Sequence, residues 1–184
     1  MAAITTGEIV WRYSVKTGSA GNSVAGTAAG SLGTWISQTA WAGGVANDLF
    51  DDISGAENAA STVDYRCIFI YNSNSANALQ NAVVYLSSEV GGGASIAVAA
   101  DTTAASVLGS GTAQALTATT ETAPGAGVTG LAYSSPITAG AGVSLGNIPA
   151  GSVKAFWIRR TAANTVAVSG DGVTLSVTGD TGSL

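Results

Sequence analysis

From residue 8 to residue 15 the chain alternates Ile9, Trp11, Tyr13 and Val15 with Glu8, Val10, Arg12 and Ser14. No later segment sustains a helical period for more than a turn or two. Successive side chains of an extended backbone point to opposite faces, so apolar residues at every second position bury one face of a strand. The same grammar returns from Val63, where Tyr65, Cys67, Phe69 and Tyr71 share a face. It returns again in Val153 to Arg160, after the turn residues Pro149-Ala150-Gly151. Between these runs, Asn72 to Asn77 reads as a polar turn leading to a returning strand at Ala82 to Leu86. Shorter strands are expected at Ile96 to Ala99, Gln114 to Thr117 and Val143 to Leu145. Gly170-Asp171-Gly172 is expected to turn a hairpin between Thr165 to Val168 and Val173 to Val177. Eight or nine short strands at this spacing predict an all-β fold, an antiparallel β-sandwich of jelly-roll or Ig-like type.

The domain reading follows from where the bulk lies. Residues 1–62 hold the first strand, a Gly-rich arm and a short helical or loop segment; residues 63–184 hold the sandwich, with strand 8–15 counted in the same single domain. Residues 17–34 are too small and polar to build a core unaided and are expected as an arm or long loop, ordered only where something holds it. Leu49, Phe50 and Ile53 are spaced for one or two helical turns. Tyr65 to Tyr71, Val83 to Leu86 and Val153 to Ile158 are apolar on both faces, so each needs a cover on its second side. The 17–34 segment and the pair Trp35 and Trp41 are the candidates for that cover.

The chain has no histidine, which excludes Ser-His-Asp and Cys-His nucleophiles and His-based zinc and acid–base chemistry. Cys67, the one cysteine, sits mid-strand among aromatics and is expected as a small buried hydrophobe. Asp48, Asp51, Asp52, Glu57 and Asp64 form the densest group of ionisable residues. Asp51, Asp52 and Glu57 are the candidate calcium ligands, since Ca²⁺ takes six to eight oxygens; the alternative is turn hydrogen bonds, helix caps and a pair with Arg66. A glycosidase pair at Asp51 and Asp52 lacks positioned partners, because both lie on one short loop. No cofactor fingerprint is present: the GxG pairs at 109–111 and 125–127 lack a third glycine and a strand-turn-helix frame.

Only 9% of residues are charged, with a net charge of -5. Scattered cations on an acidic chain exclude a nucleic-acid partner, and no apolar run reaches membrane-spanning length. A surface with so little charge is expected to be covered by neighbouring copies or other proteins. Residues 1–6 lack the features of a secretory signal, and synthesis in a cytoplasm is the expectation. Trp11, Trp35, Trp41, Trp157, Arg159 and Arg160 are the interface candidates, being the residue types enriched at binding hot spots. Core packing is the competing role for Trp11 and Trp157.

Several stretches carry a resemblance: Leu32-Gly33 with Ile36-Ser37, Leu49-Phe50-Asp51-Asp52-Ile53-Ser54-Gly55-Ala56-Glu57-Asn58, Tyr65-Arg66-Cys67, and Ala155-Phe156-Trp157-Ile158-Arg159-Arg160-Thr161. Together they resemble small virion structural proteins of tailed bacteriophages that decorate or cement the capsid, over Glu8 to Asp180. The resemblance implies a non-enzymatic β-sandwich made in the host cytoplasm, placed on the capsid exterior of the virion, bound to the major capsid protein and to itself as a dimer or trimer. Cement proteins often reach neighbours through an N-terminal arm, a role residues 1–34 could serve. The other reading is a tail fibre or spike module that recognises host surface glycan through Trp and Tyr faces.

Overall fold

The computed structural model describes residues 3–19 and 24–182, and within them the fold is an antiparallel β-sandwich of two sheets. The strands are β1 (Ile9–Val15), β2 (Gly33–Ala40), β3 (Val63–Asn72), β4 (Ala78–Glu89), β5 (Ser95–Ala100), β6 (Ser106–Val107), β7 (Gln114–Thr117), β8 (Val143–Ile148), β9 (Ser152–Thr161) and β10 (Val173–Gly182). The larger sheet runs β5-β9-β3-β1-β2-β7, with β6 also on β9, and the smaller runs β10-β4-β8. Two short helices, α1 (Gly55–Ala60) and α2 (Ala126–Thr129), lie outside the sheets.

The alternation read from the sequence explains which face goes where. Ile68 and Ile70 of β3, Phe156 and Ile158 of β9, and Ile96 and Val98 of β5 face Leu79, Val84 and Leu86 of β4 and Leu145 and Ile148 of β8. This is the core between the sheets. The intervening residues Tyr65, Cys67, Phe69, Val153, Ala155 and Trp157 face the other way and are equally buried. They are covered by Ala113, Ala115, Ala118 and Val128, with Leu116, Leu131 and Tyr133 at the margin. The connection from Asp101 to about residue 135 therefore supplies most of the missing cover, with Leu32 and Trp35 beside it. Trp41 instead packs towards the core between the sheets. The third doubly apolar run keeps a wetter side: Val84 and Leu86 are buried, while Val83 and Tyr85 are partly exposed.

Where small residues form the cover, polar bonds fix its position. Asp101 lies 2% exposed above Trp157. One of its carboxylate oxygens accepts from Trp157 Nε1 and from the Leu116 amide, both at 2.8 Å, and the other accepts from the Thr103 amide. Lys154 is buried beside it and donates to the carbonyls of Asp101, at 2.7 Å, and Thr103. Burial lowers the Lys154 pKa, and the nearby Asp101 charge opposes that shift.

Four expectations change. β2 carries Trp35 and Ile36 as a strand that the small residues around them concealed, entering through Gly33 and Thr34 at positive φ of 88° and 70°. Gly33 has no room for a side chain: a Cβ there would fall 1.9 Å from the Leu116 carbonyl oxygen. The expected helical turns at Leu49 to Ile53 are displaced to Gly55–Ala60, because Ser54 and Glu57 form a capping box that starts the helix there. The hairpin at Gly170-Asp171-Gly172 is absent: residues 162–172 hold no strand, and β10 pairs with β4. The polar groups of that segment bond elsewhere, Asp171 with the Ala94 amide and Thr165 with Asn58.

The arm expected over 1–34 is interrupted, since β1 lies between β3 and β2 in the larger sheet. Residues 24–32 dock on their own fold, the Val24 carbonyl accepting from the Gln38 amide and the Ser31 carbonyl from the Cys67 amide. Residues 1, 2 and 20–23 of the expected arm lie outside the described residues.

Two outcomes follow from the outer cover. Asp101→Ala strands three donors and removes the carboxylate charge that opposes the burial cost of Lys154, so it should cost about 3–5 kcal/mol in denaturant unfolding, with Asp101→Asn intermediate. Cys67 is fully buried, and desolvation holds its pKa well above the thiol value of 9.0. The unfolded thiol ionises near 9 while the folded one stays protonated, so this group's contribution to stability falls as pH rises beyond about 9. Thiol-reagent labelling in the native state should be limited by unfolding; rapid labelling without unfolding would contradict this burial.

Candidate functional site

Of the acidic residues singled out from the sequence, Asp48, Asp51 and Asp52 lie on the loop between β2 and α1, Glu57 in α1 and Asp64 on β3, and two arginines from the larger sheet hold that loop down. Arg160 of β9 reaches the buried Asp64 carboxylate at 2.7 and 3.0 Å and the Asp51 carboxylate at 3.2 Å, and it also donates to the Asp51 carbonyl. Arg66 of β3 donates to the Leu49 carbonyl at 3.2 Å and pairs with Glu121. The Phe50 ring lies against both guanidinium groups, 4.8 Å from that of Arg160 and 5.4 Å from that of Arg66. Register explains the convergence. Asp64 is opposite Arg160 and Arg66 opposite Ile158, so both arginines lie at the same end of adjacent strands.

At the other end of the loop, Trp41 Nε1 donates to the Asp48 carboxylate at 2.9 Å, and the Tyr13 hydroxyl donates to the Asp48 carbonyl at 2.5 Å. Trp41 meets Trp11 edge-on at 5.7 Å, and Trp11 meets Phe156 at the same distance, an aromatic row that runs from the core outwards.

Between this loop and residues 163–175 lies a cleft of about 730 Å³. Asp48, Asp51, Asp52 and Asp171 line it against a single cation, Arg160. Asn58 ties the walls together, donating to the Thr165 carbonyl at 2.7 Å. Val45, 71% exposed, and Val166, 86% exposed, contribute to its lining from opposite walls. A smaller hollow of about 330 Å³ shares Trp41, Gly44, Val173 and Leu175 with it.

The structure separates the calcium candidates. Asp51 pairs with Arg160, Asp52 is exposed, and Glu57 is turned back onto the Ser54 amide. The hydrogen bonds from Ser54 lower the Glu57 pKa, as those from Thr5 lower that of Glu8. Among the described residues no three acidic or thiol side chains converge as a metal site requires. The expected pair of this acidic cluster with Arg66 is replaced by one with Arg160, which the β3–β9 register sets opposite Asp64, while Arg66 takes Glu121.

The interface candidates are scattered. Trp157 is fully buried and leaves the interface set for the core; Arg160 is 6% exposed and internally paired. Trp11, Trp35 and Trp41 are half-buried, and Trp35 sits opposite Gln114 of β7. Arg159 stacks over Tyr133 at 4.9 Å and, among the described residues, forms no ion pair, its Nε buried without a partner. Arg12 stacks likewise over Tyr71 at 5.2 Å. The Tyr133 hydroxyl is also buried unpaired, and desolvation pushes its pKa up. The sequence reading did not single out the roles of Phe50, Asp101 and Tyr133; Ser54-x-x-Glu57 was a legible cap.

Chemically, this cleft offers carboxylates, one tryptophan and apolar rims. No protein-family model, curated protein or solved structure matches the chain.

Arg160→Met should cost about 3–5 kcal/mol, since it leaves the Asp64 carboxylate buried without its cation. Adding Asp64→Asn should recover part of that loss, as measured by chemical denaturation; equal stability of the single variant and the parent would refute the clamp.

Proposed function

We propose that the chain is a non-enzymatic virion structural protein that decorates and stabilises a phage capsid from outside, bridging major capsid subunits and itself. The observation that carries the reading is the cleft rim. Val45 and Val166 stand almost bare on two facing walls, while the acidic side chains nearby are largely engaged in internal bonds. Exposed apolar side chains around a concave surface fit a protein partner whose own apolar residues would enter it. A carboxylate-lined cleft also favours a partner that brings Lys or Arg to its edge. Bridging by such contacts needs no chemistry, which accords with a chain that has no histidine.

A second reading rests on Trp41. A tryptophan beside Asp48, Asp51 and Asn58 in one cleft supplies the stacking face and planar hydrogen-bonding groups with which a glycan is held, as in a tail fibre or spike module.

The two readings part on one experiment. Purified protein is added separately to capsid shells lacking it and to host cells, and bound protein is measured by co-sedimentation and by electron microscopy of the shells. Decoration predicts regular density on the shell exterior and loss of most binding for Val45→Asp/Val166→Asp, with stability within about 0.5 kcal/mol of the parent. Binding to cells that free glycan competes away, with bare shells, would establish the glycan module instead.

A further inference from the structure

The two sheets treat their edges differently. An uncovered edge strand presents unpaired backbone N–H and C=O groups and is a template for another strand, so folds shorten, interrupt, charge or cover their edges. β5, at one edge of the larger sheet, is closed by Ser134, which exchanges backbone hydrogen bonds of 2.8 and 3.0 Å with Val98, and by the Ser135 hydroxyl on the Ile96 carbonyl. β7, at the opposite edge, is four residues long. β8, at one edge of the smaller sheet, is six residues long, contains Gly146 at φ 73°, and shifts register twice along β4. Beyond it, the Pro136 carbonyl accepts from the Leu86 amide of β4.

β10 is guarded less: among the described residues it is neither short nor paired on its outer side, though it carries two bulges and Asp180. It is ten residues long, and among the described residues only β4 pairs with it. It has no lysine, arginine or proline, and its one charge is Asp180, near the end. The N-terminal segment hydrogen-bonds it at Thr181, whose hydroxyl accepts from the Ile4 amide, and the loop from Trp41 to Gly44 borders Val173 to Leu175. Val173, Leu175 and Val177 pack towards the core, which leaves Thr174, Ser176 and Thr178 on the outward face. Two bulges against β4 bend the strand without covering it.

We propose that β10 is the self-association edge of this protein: two copies pair their β10 strands antiparallel about a two-fold axis at Val177, joining two three-stranded sheets into one of six. The inference concerns association of the free protein and does not rest on the capsid reading. The sequence of the strand selects a second copy. With the axis at Val177, Ser176 of each copy faces Thr178 of the other, a favourable hydroxyl pair on the outward face, and Val177 faces its own copy on the inward face. Asp180 then falls opposite Thr174, so the strand's one charge does not meet itself. An isologous contact of this kind closes after two copies, and the joined sheet ends on both sides in the short, irregular β8.

The test is sedimentation equilibrium on the full chain and on two variants, Ser176→Lys/Thr178→Lys and Ser176→Asp/Thr178→Asp. The parent should show the mass of two copies at micromolar concentration. In each variant like charges face each other at both symmetry-related positions, so Kd should rise about tenfold or more, with the thermal midpoint of the monomer retained. Mixing the two variants opposes lysine to aspartate and should restore a one-to-one dimer. A monomeric parent would overturn the proposal. So would variants that associate as tightly as the parent, or a mixture that associates no better than either variant alone.

Discussion

The two central strands of the larger sheet, β3 and β9, are apolar on both faces, and the rest of the architecture is arranged around that constraint. Cys67, Ile68, Phe69 and Ile70 of β3 and Phe156, Trp157 and Ile158 of β9 have no exposure at all. A sandwich ordinarily buries one face of a strand and wets the other, so the second sheet satisfies only half of this demand. The outer half is met by the connection after Asp101, whose fully buried residues are mainly alanines. A methyl group removes little apolar area from water beside the indole and phenyl rings beneath it. The driving force for the cover therefore lies in the sheet, and the cover's position is set by polar bonds, chiefly those to the Asp101 carboxylate above Trp157.

The same economy governs the charges. Of six cations, Arg66, Lys154 and Arg160 are buried and bonded to carboxylates or carbonyls. Arg12 and Arg159 are half-buried over tyrosine rings. The composition already suggested a sparsely charged surface; the fold removes most of the positive charge from it as well. Of the charged side chains lining the cleft, four are carboxylates and one is Arg160, already paired with Asp51 and Asp64.

Strand existence was legible wherever large residues alternate, which is why β1, β3, β7, β8 and β9 fall close to expectation. The need for a cover over β3 and β9 was legible too, because both parities of those strands are apolar. Its source was not: Ala113, Ala115 and Ala118 have no distinctive pattern, and their role depends on a bond from Asp101 that no local period announces. β2 was hidden for a related reason, since its entry needs a Gly33 pressed against another backbone and a Thr34 at positive φ. At the cleft, the acidic loop was visible as a cluster, but its partner was not. Arg66 and Arg160 are equally close in kind, and only the β3–β9 register decides that Asp64 meets Arg160.

β10 links the cleft and the free sheet edge. Val173 and Leu175 line the cleft and belong to β10, whose free edge runs along the same strand and whose Ser176 and Thr178 face outward. The cleft's other wall is fixed to the larger sheet by Arg66 and Arg160, while the β10 wall depends on β4 and on the bonds of Asn58 and Asp171. A strand added along β10 would hydrogen-bond backbone that is otherwise solvated and so restrain the less anchored wall. Partner binding in the cleft and pairing along the edge would then favour one another, since each would find part of the ordering already done by the other.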